Sequence, residues 1–245
     1  MNVEHPWVKE VRAALEREPR INLHRDSIDV DMEGDTLSLR GEAQSIAAKR
    51  LATRIASGIA SRVSDHIRLS PTETLDDGAI KDAIALAFEQ ESAFRECNIA
   101  VSWHEQHEVI RATQRALACT LHITIHEGIV TLEGAVESLS HRRLAEALTW
   151  WCAGVTDVVD RVRIVPEQSD SDPEITDAVN LVLEKDPLVH SGQIHVATSH
   201  GTVTLAGLVR EEQEREMAEM DVWYLGGVNQ VVNHIQVRHG TPGIS

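Results

Sequence analysis

Two stretches of the chain are written to one pattern. Residues 126–137 read HEGIVTLEGAVE, and residues 199–210 read SHGTVTLAGLVR, 73 positions later. A looser copy, GDTLSLRG, spans residues 34–41. In each, a glycine precedes apolar residues at alternate positions (Leu37 and Leu39; Val130 and Leu132; Val203 and Leu205), and a second glycine follows, which in the last copy, Gly207, is expected to end the strand. Alternation of this kind suits a strand with one buried face. The leading glycine suits the turn of a β-hairpin, with Ile194-His195-Val196 as the partner strand in the last copy. A pattern repeated at this interval predicts several small domains rather than one large one.

The flanks repeat as well. Upstream of each hairpin lies an apolar helical spacing: Val8, Val11 and Leu15 before Pro19, and Ile175, Val179, Leu181, Val182 and Leu183 before Asp186-Pro187. Downstream lies a charged helix. In the second and third copies it ends near glycine (Gly154; Gly226-Gly227), and a last strand follows. Each unit therefore reads α-β-β-α-β. The expected fold class is α+β: tandem small two-layer domains, each a three-stranded sheet covered on one face by two helices. The units span 5–71, 76–166 and 172–240, and the polar segment 166–173, PEQSDSDP, separates the last two.

The second unit departs from this order. Asp82 to Val101 aligns with the third unit at an offset of 95, whereas from Leu121 onward the offset is 73. The difference is an insertion of 22 residues, at about 102–120, with a helical spacing near Val109–Leu117. Either the second unit carries an extra helix and strand, or residues 76–103 are the remnant of a fourth unit.

The order helix, strand, G-x-V-T-L-x-G, helix, G-V-x-x-V-x-N/D-x-(I/V)-x-V resembles the BON domain, named for bacterial osmotically induced and nodulation proteins. The match runs through GIVTLEG…GVTDVVDRVRIV and GTVTLAG…GVNQVVNHIQV, with the first unit degenerate. The resemblance implies a non-enzymatic binding module. Some similar proteins are exported and bind anionic phospholipid or protect the envelope under osmotic stress. Another is a small potassium-binding protein of the cytoplasm.

Composition sets limits. The net charge of −16 is unevenly spread: residues 1–71 carry 11 basic and 11 acidic side chains, residues 72–166 carry 8 and 15, and residues 167–245 carry 4 and 13. Nucleic-acid binding needs clustered cations, so nucleic acid is not an expected partner. No apolar run approaches about 18 residues, which argues against a transmembrane helix. The first residues, MNVEHPWVKEVRAALERE, read as an amphipathic helix rather than a signal peptide. Cys97, Cys119 and Cys152 read as buried free thiols in a reducing compartment. The expected location is the cytoplasm, with a peripheral position at the inner membrane face as an option.

Candidate chemistry is sparse. His104-Glu105-Gln106-His107 lacks the H-E-x-x-H spacing and reads as a solvated turn, so no metal is assigned. Thr131 and Thr204 have no base motif beside them, no catalytic residues are expected, and no cofactor is implied. Two features stand out. The second helix of unit one carries Lys49, Arg50 and Arg54, with Arg62 beyond, and no carboxylate lies between Glu42 and Asp65. An amphipathic basic helix can lie on anionic lipid, or its cations can face an acidic neighbouring unit. The other is Trp150-Trp151, aligned with Trp223-Tyr224. Helical spacing puts Trp151 in the core and Trp150 and Trp223 on polar faces, as interface aromatics between units, with a second chain or with a partner.

The expected function is a stress-linked, non-enzymatic protein that associates with an anionic phospholipid surface through unit one. The alternatives are a protein scaffold or chaperone-like adaptor, and a soluble potassium-binding protein.

Overall fold

The computed structural model describes residues 5–71, 73–113 and 119–238. The first unit runs α1 (Pro6–Leu15), β1 (Ser27–Glu33), β2 (Thr36–Ala43), α2 (Ile46–Ile59) and β3 (Val63–Leu69). β2 lies between the other two strands, antiparallel to β1 and parallel to β3. Pro6 occupies the first turn of α1, where its missing N–H costs nothing, and Val8, Val11 and Leu15 form the buried stripe. Ser45 caps α2 by accepting from the Ala48 N–H.

The second unit begins with α3 (Asp77–Gln90), whose Ile80, Ile84 and Phe88 are fully buried. Then come β4 (Asn98–Trp103), β5 (Gln106–Arg111), β6 (Thr120–His126), β7 (Ile129–Val136), α4 (Leu139–Trp150) and β8 (Asp157–Ile164). Its sheet has the order β5-β4-β6-β7-β8. In β6, Leu121, Ile123 and Ile125 are buried and the residues between them half-buried, as a one-sided strand requires. The third unit repeats the first: α5 (Asp172–Lys185), β9 (Ile194–Ser199), β10 (Thr202–Val209), α6 (Glu212–Trp223) and β11 (Gln230–Val237), with sheet order β11-β10-β9.

The second sheet thus has five strands, two more than the repeated unit, and the extra residues form a strand hairpin, β4–β5, rather than a helix and a strand. The spacing at Val109–Arg111 that suggested a helix lies in β5, which pairs antiparallel with β4. Residues 114–117 of that expected helix lie outside the described residues. The two Asp residues that open α3 and α5 show which hairpin belongs to α3. Asp172 accepts from the backbone N–H groups of His200 and Gly201, at the β9–β10 turn. Asp77 accepts in the same way from Glu127 and Gly128, at the β6–β7 turn. α3 therefore serves β6–β7, and β4–β5 is inserted between them.

The two glycines of the repeated pattern have separate jobs. At the turns, Glu127 and Gly128 have φ of 49° and 74°, and His200 and Gly201 have 52° and 70°. Two successive left-handed residues give the turn whose twist matches a hairpin. The second glycine lies inside the strand instead of ending it. A Cβ on Gly41, Gly134 or Gly207 would overlap the carbonyl oxygen of Ser27 on β1, Thr120 on β6 or Gln193 just before β9, respectively.

Cys97 and Cys119 are joined as a disulfide, which corrects the expectation of free thiols. They precede Asn98 and Thr120, which are paired across the parallel strands β4 and β6. Their Cα atoms are therefore 4.6 Å apart, within disulfide reach. The thiol argument for a reducing compartment no longer holds. Cys152 is a free, buried thiol, pushed up to about 12 by burial.

Candidate functional site: a junction of charged and aromatic side chains between the units

The second helices of the three units meet, and the cations of α2 point into the meeting place. Lys49 is buried, bonded to Asp65 at 3.0 Å, to the Ile67 carbonyl at 2.5 Å, and to Asp157 of unit two at 3.2 Å. Burial raises the Asp157 carboxyl above the ordinary range, against the pull of Lys49. Arg50 donates to Glu146 on α4 at 2.6 Å and to the Tyr224 carbonyl of unit three at 3.0 Å. Arg54 donates to the Asn229 carbonyl at 2.7 Å while staying exposed. Arg62, past the end of α2, is also exposed. Lys49, Arg50 and Arg54 are brought together, the first two against carboxylates and Arg54 against a carbonyl oxygen.

The equivalent side of α4 makes the next contact. Arg143 stands nine residues after Gly134, as Arg50 stands nine after Gly41. It is buried, holds both oxygens of Asp170 at 2.8 and 2.6 Å, and donates to the Gly226 carbonyl. Glu146 accepts from the Gly226 N–H at 3.0 Å, so one carboxylate joins unit two to both other units. Two more ties join the units. Arg20 donates to the Val231 carbonyl and lies 5.6 Å from the Trp223 ring centroid. Lys185 pairs with Glu91 at 2.8 Å, and that bond with the Ala93 N–H lowers the Glu91 carboxyl despite burial pushing it up.

The aromatic positions serve this junction too. Trp150 is buried and stacks on Tyr224 of unit three, with centroids 5.8 Å apart and planes 16° from parallel. Trp151, expected in the core, is only half-buried and donates its indole N–H to Asp221 at 2.8 Å. The helical spacing expected the opposite burial for the two tryptophans of α4. Unit three covers the face that a lone unit would turn to water, and so exchanges which tryptophan is hidden. Trp223 is buried as well.

A cleft of about 560 Å³ remains between the units, lined by Arg50, Arg54, Glu146, Trp150 and Asn229 among others. A second hollow of about 340 Å³ lies between units two and three, beside Trp150, Trp151, Asp186, Asp221 and Tyr224. Burial and the adjacent Asp186 push the Asp221 carboxyl up to about 8. Burial and Asp221 push the Tyr224 hydroxyl up to about 12. His104, the first histidine of the HEQH stretch, sits at the β4–β5 turn with φ 49°.

The N/D position of the repeated pattern has a local role. Asp65, Asp160 and Asn233 each accept from the backbone N–H two residues on, at 2.9, 2.9 and 3.0 Å. Each also reaches back to its own helix: Asp65 to Lys49, Asp160 to Arg142, and Asn233 to the Arg215 carbonyl. That position fastens the last strand to the second helix in all three units. Sequence reasoning missed Arg143, Glu146, Asp157, Asp170, Asp186 and Asp221. Only Arg143 had a legible signal, its match to Arg50. Among the described residues no helix is long and apolar enough to cross a membrane.

Comparison with known proteins agrees with the repeat. Osmotically-inducible protein Y of Escherichia coli (strain K12) is 26% identical over 138 residues, which are 54% of this chain and 66%, just under two thirds, of that protein. The uncharacterized protein in the gshII 5' region of Anaplasma centrale is 23% identical over 131 residues, 51% of this chain and 87% of that one. Among solved structures, the C-terminal domain of CdsD, a structural protein of the type III secretion system of Chlamydia trachomatis, is 12% identical, with coverage of 97% and 100% and a TM-score of 0.25. An overlap that weak carries no argument. The BON domain family model matches residues 8–71, 111–166 and 171–239, well over half of the chain. The repeated strands, pattern glycines and N/D residues fall within those segments, the inserted β4–β5 hairpin runs up to the start of the second one, and the chain belongs to the BON domain family.

Proposed function

We propose that the chain is a non-enzymatic, stress-linked binding protein that works as a rigid three-unit adaptor for a protein partner. The observation behind this reading is the commitment of Lys49, Arg50 and Arg54 to units two and three. Such ties hold three binding modules at set angles, which an adaptor needs and a surface-lying helix does not. The similarity to osmotically-inducible protein Y supports the link to stress. The test is chemical cross-linking in cells after osmotic upshift, comparing the intact chain with the Arg50→Glu, Arg143→Glu double variant. Cross-linked partners that are lost when the units undock support the adaptor. Partners retained in full by the undocked variant would sink it.

A second reading is association of unit one with anionic phospholipid, favoured by Arg54 and Arg62, which keep their exposure. Flotation with anionic and zwitterionic vesicles, at low and high salt, decides it. Selective, salt-sensitive flotation that Arg54→Glu and Arg62→Glu abolish supports this reading, and absence of flotation removes it.

A further inference from the structure

The hollow between units two and three has a composition that neither reading above uses. Three aromatic residues line it, Trp150 and Trp151 from α4 and Tyr224 from the end of α6, together with Met217 and Met220. The carboxyls of Asp186 and Asp221 stand in the same wall. They are 5% and 2% exposed, so both are almost wholly withdrawn from water. Each is half satisfied. Asp186 accepts from the Leu188 N–H and Asp221 from the Trp151 indole, and among the described residues the second oxygen of each has no N–H donor, only the hydrogen bond between the two carboxyls. That bond lasts only while one carboxyl keeps a proton; without it two buried carboxylates stand together uncompensated, which is costly. Leu188 and Met220, 58% and 39% exposed, stand at the mouth and leave it open to solvent.

We propose that this hollow binds a small alkylammonium ion, its charge met by Asp186 and Asp221 and its alkyl groups held against Trp150, Trp151 and Tyr224. Aromatic and carboxylate walls together are the chemistry that recognises an organic cation. A hard metal ion fits poorly, because it needs about six or more oxygen ligands and the wall is otherwise aromatic and thioether. Among the described residues no lysine or arginine lines the hollow, and the net charge of −16 draws cations toward the protein.

The site also couples binding to a proton. The ionisable groups around the pair are Asp186 at the end of α5, Asp221 on α6, and Tyr224 just beyond it. From α4 comes the Trp151 N–H, and Lys185, beside Asp186, is turned to Glu91. With the ligand absent, Asp221 retains a proton near neutral pH that it can share with Asp186. An entering cation takes over the role of that proton, which leaves to solvent. This inference is independent of the adaptor and lipid readings, and its test does not involve either.

The test is calorimetric titration of the intact chain with tetramethylammonium chloride at pH 7, against potassium chloride and sodium chloride at equal ionic strength. The expected result is saturable binding of tetramethylammonium alone, with release of up to one proton per site and at least tenfold weakening in both Asp221→Asn and Asp186→Asn. Melting curves on each variant exclude unfolding as the cause, and Trp151→Leu provides a further variant that keeps both carboxyls. The absence of saturable heat, an equal response to potassium, or undiminished binding by a folded Asp221→Asn variant would overturn the proposal.

Discussion

Arg50 and Glu146, 96 residues apart in the chain, form an ion pair of 2.6 Å that joins α2 of unit one to α4 of unit two. Their side chains are 22% and 10% exposed, so the pair is shielded from screening by salt. Glu146 also accepts from the Gly226 N–H of unit three. One carboxylate is thus a common point of all three units, and its position explains why a basic helix belongs in so acidic a protein.

Arg50→Glu should loosen this junction at a cost of about 1–3 kcal/mol, because it leaves Glu146 and the Tyr224 carbonyl short of a donor. Glu146→Arg should cost a similar amount, and the two changes together should recover part of the loss. A double-mutant cycle on melting temperature measures the coupling. Additive losses would mean that the pair contributes nothing to docking.

Gly134→Ala should destabilise the second unit by roughly 1–3 kcal/mol or more, since the new methyl overlaps the Thr120 carbonyl and the residue holds φ at 125°. Gly192→Ala is the control, with nothing within 4 Å of its Cβ, and should stay within about 0.5 kcal/mol of the parent. Urea unfolding of both variants provides the comparison.

Asp221 sets a pH dependence whose sign follows from its environment. Its folded value of about 8 lies above the ordinary 3.8. Between those values the unfolded chain has lost the proton and the folded chain keeps it, so stability falls as pH rises through the window and levels off above it. Asp221→Asn removes this dependence. Its melting temperature should gain on that of the parent steadily from pH 5 to pH 8, and a constant difference would refute the assignment.

The Cys97–Cys119 link should leave one titratable thiol, that of Cys152, in the unfolded and unreduced protein. Thiol titration in denaturant, with and without reductant, gives one against three if this is correct. Replacing both cysteines by serine should cost about 2–5 kcal/mol, with hydrogen exchange rising first in β4 and β5, the strands the link secures.

Much of the architecture was legible because it is local. The alternation of Val130 and Leu132, the turn glycines and the helical stripe of Val8, Val11 and Leu15 each act within a few residues, and three copies of one pattern confirm one another. The β4–β5 hairpin was harder to read. Val109-Ile110-Arg111 has a spacing that fits a helix as well as an edge strand, and pairing with β4 decided between them. The disulfide was hidden for the same reason, since strands β4 and β6 had first to be set side by side.

By itself the sequence determined three α-β-β-α-β units, their one-sided strands, the turns between them and the presence of cations on α2. These follow from steric freedom at glycine and from which side chains leave water. The tertiary structure alone decided what those cations and tryptophans do. A helix face toward water and a helix face toward another unit carry the same polar and aromatic residues. Only the docking of unit three against α2 and α4 turned Arg50 and Trp150 from exposed groups into joints, and enclosed Asp221 deeply enough to hold its proton.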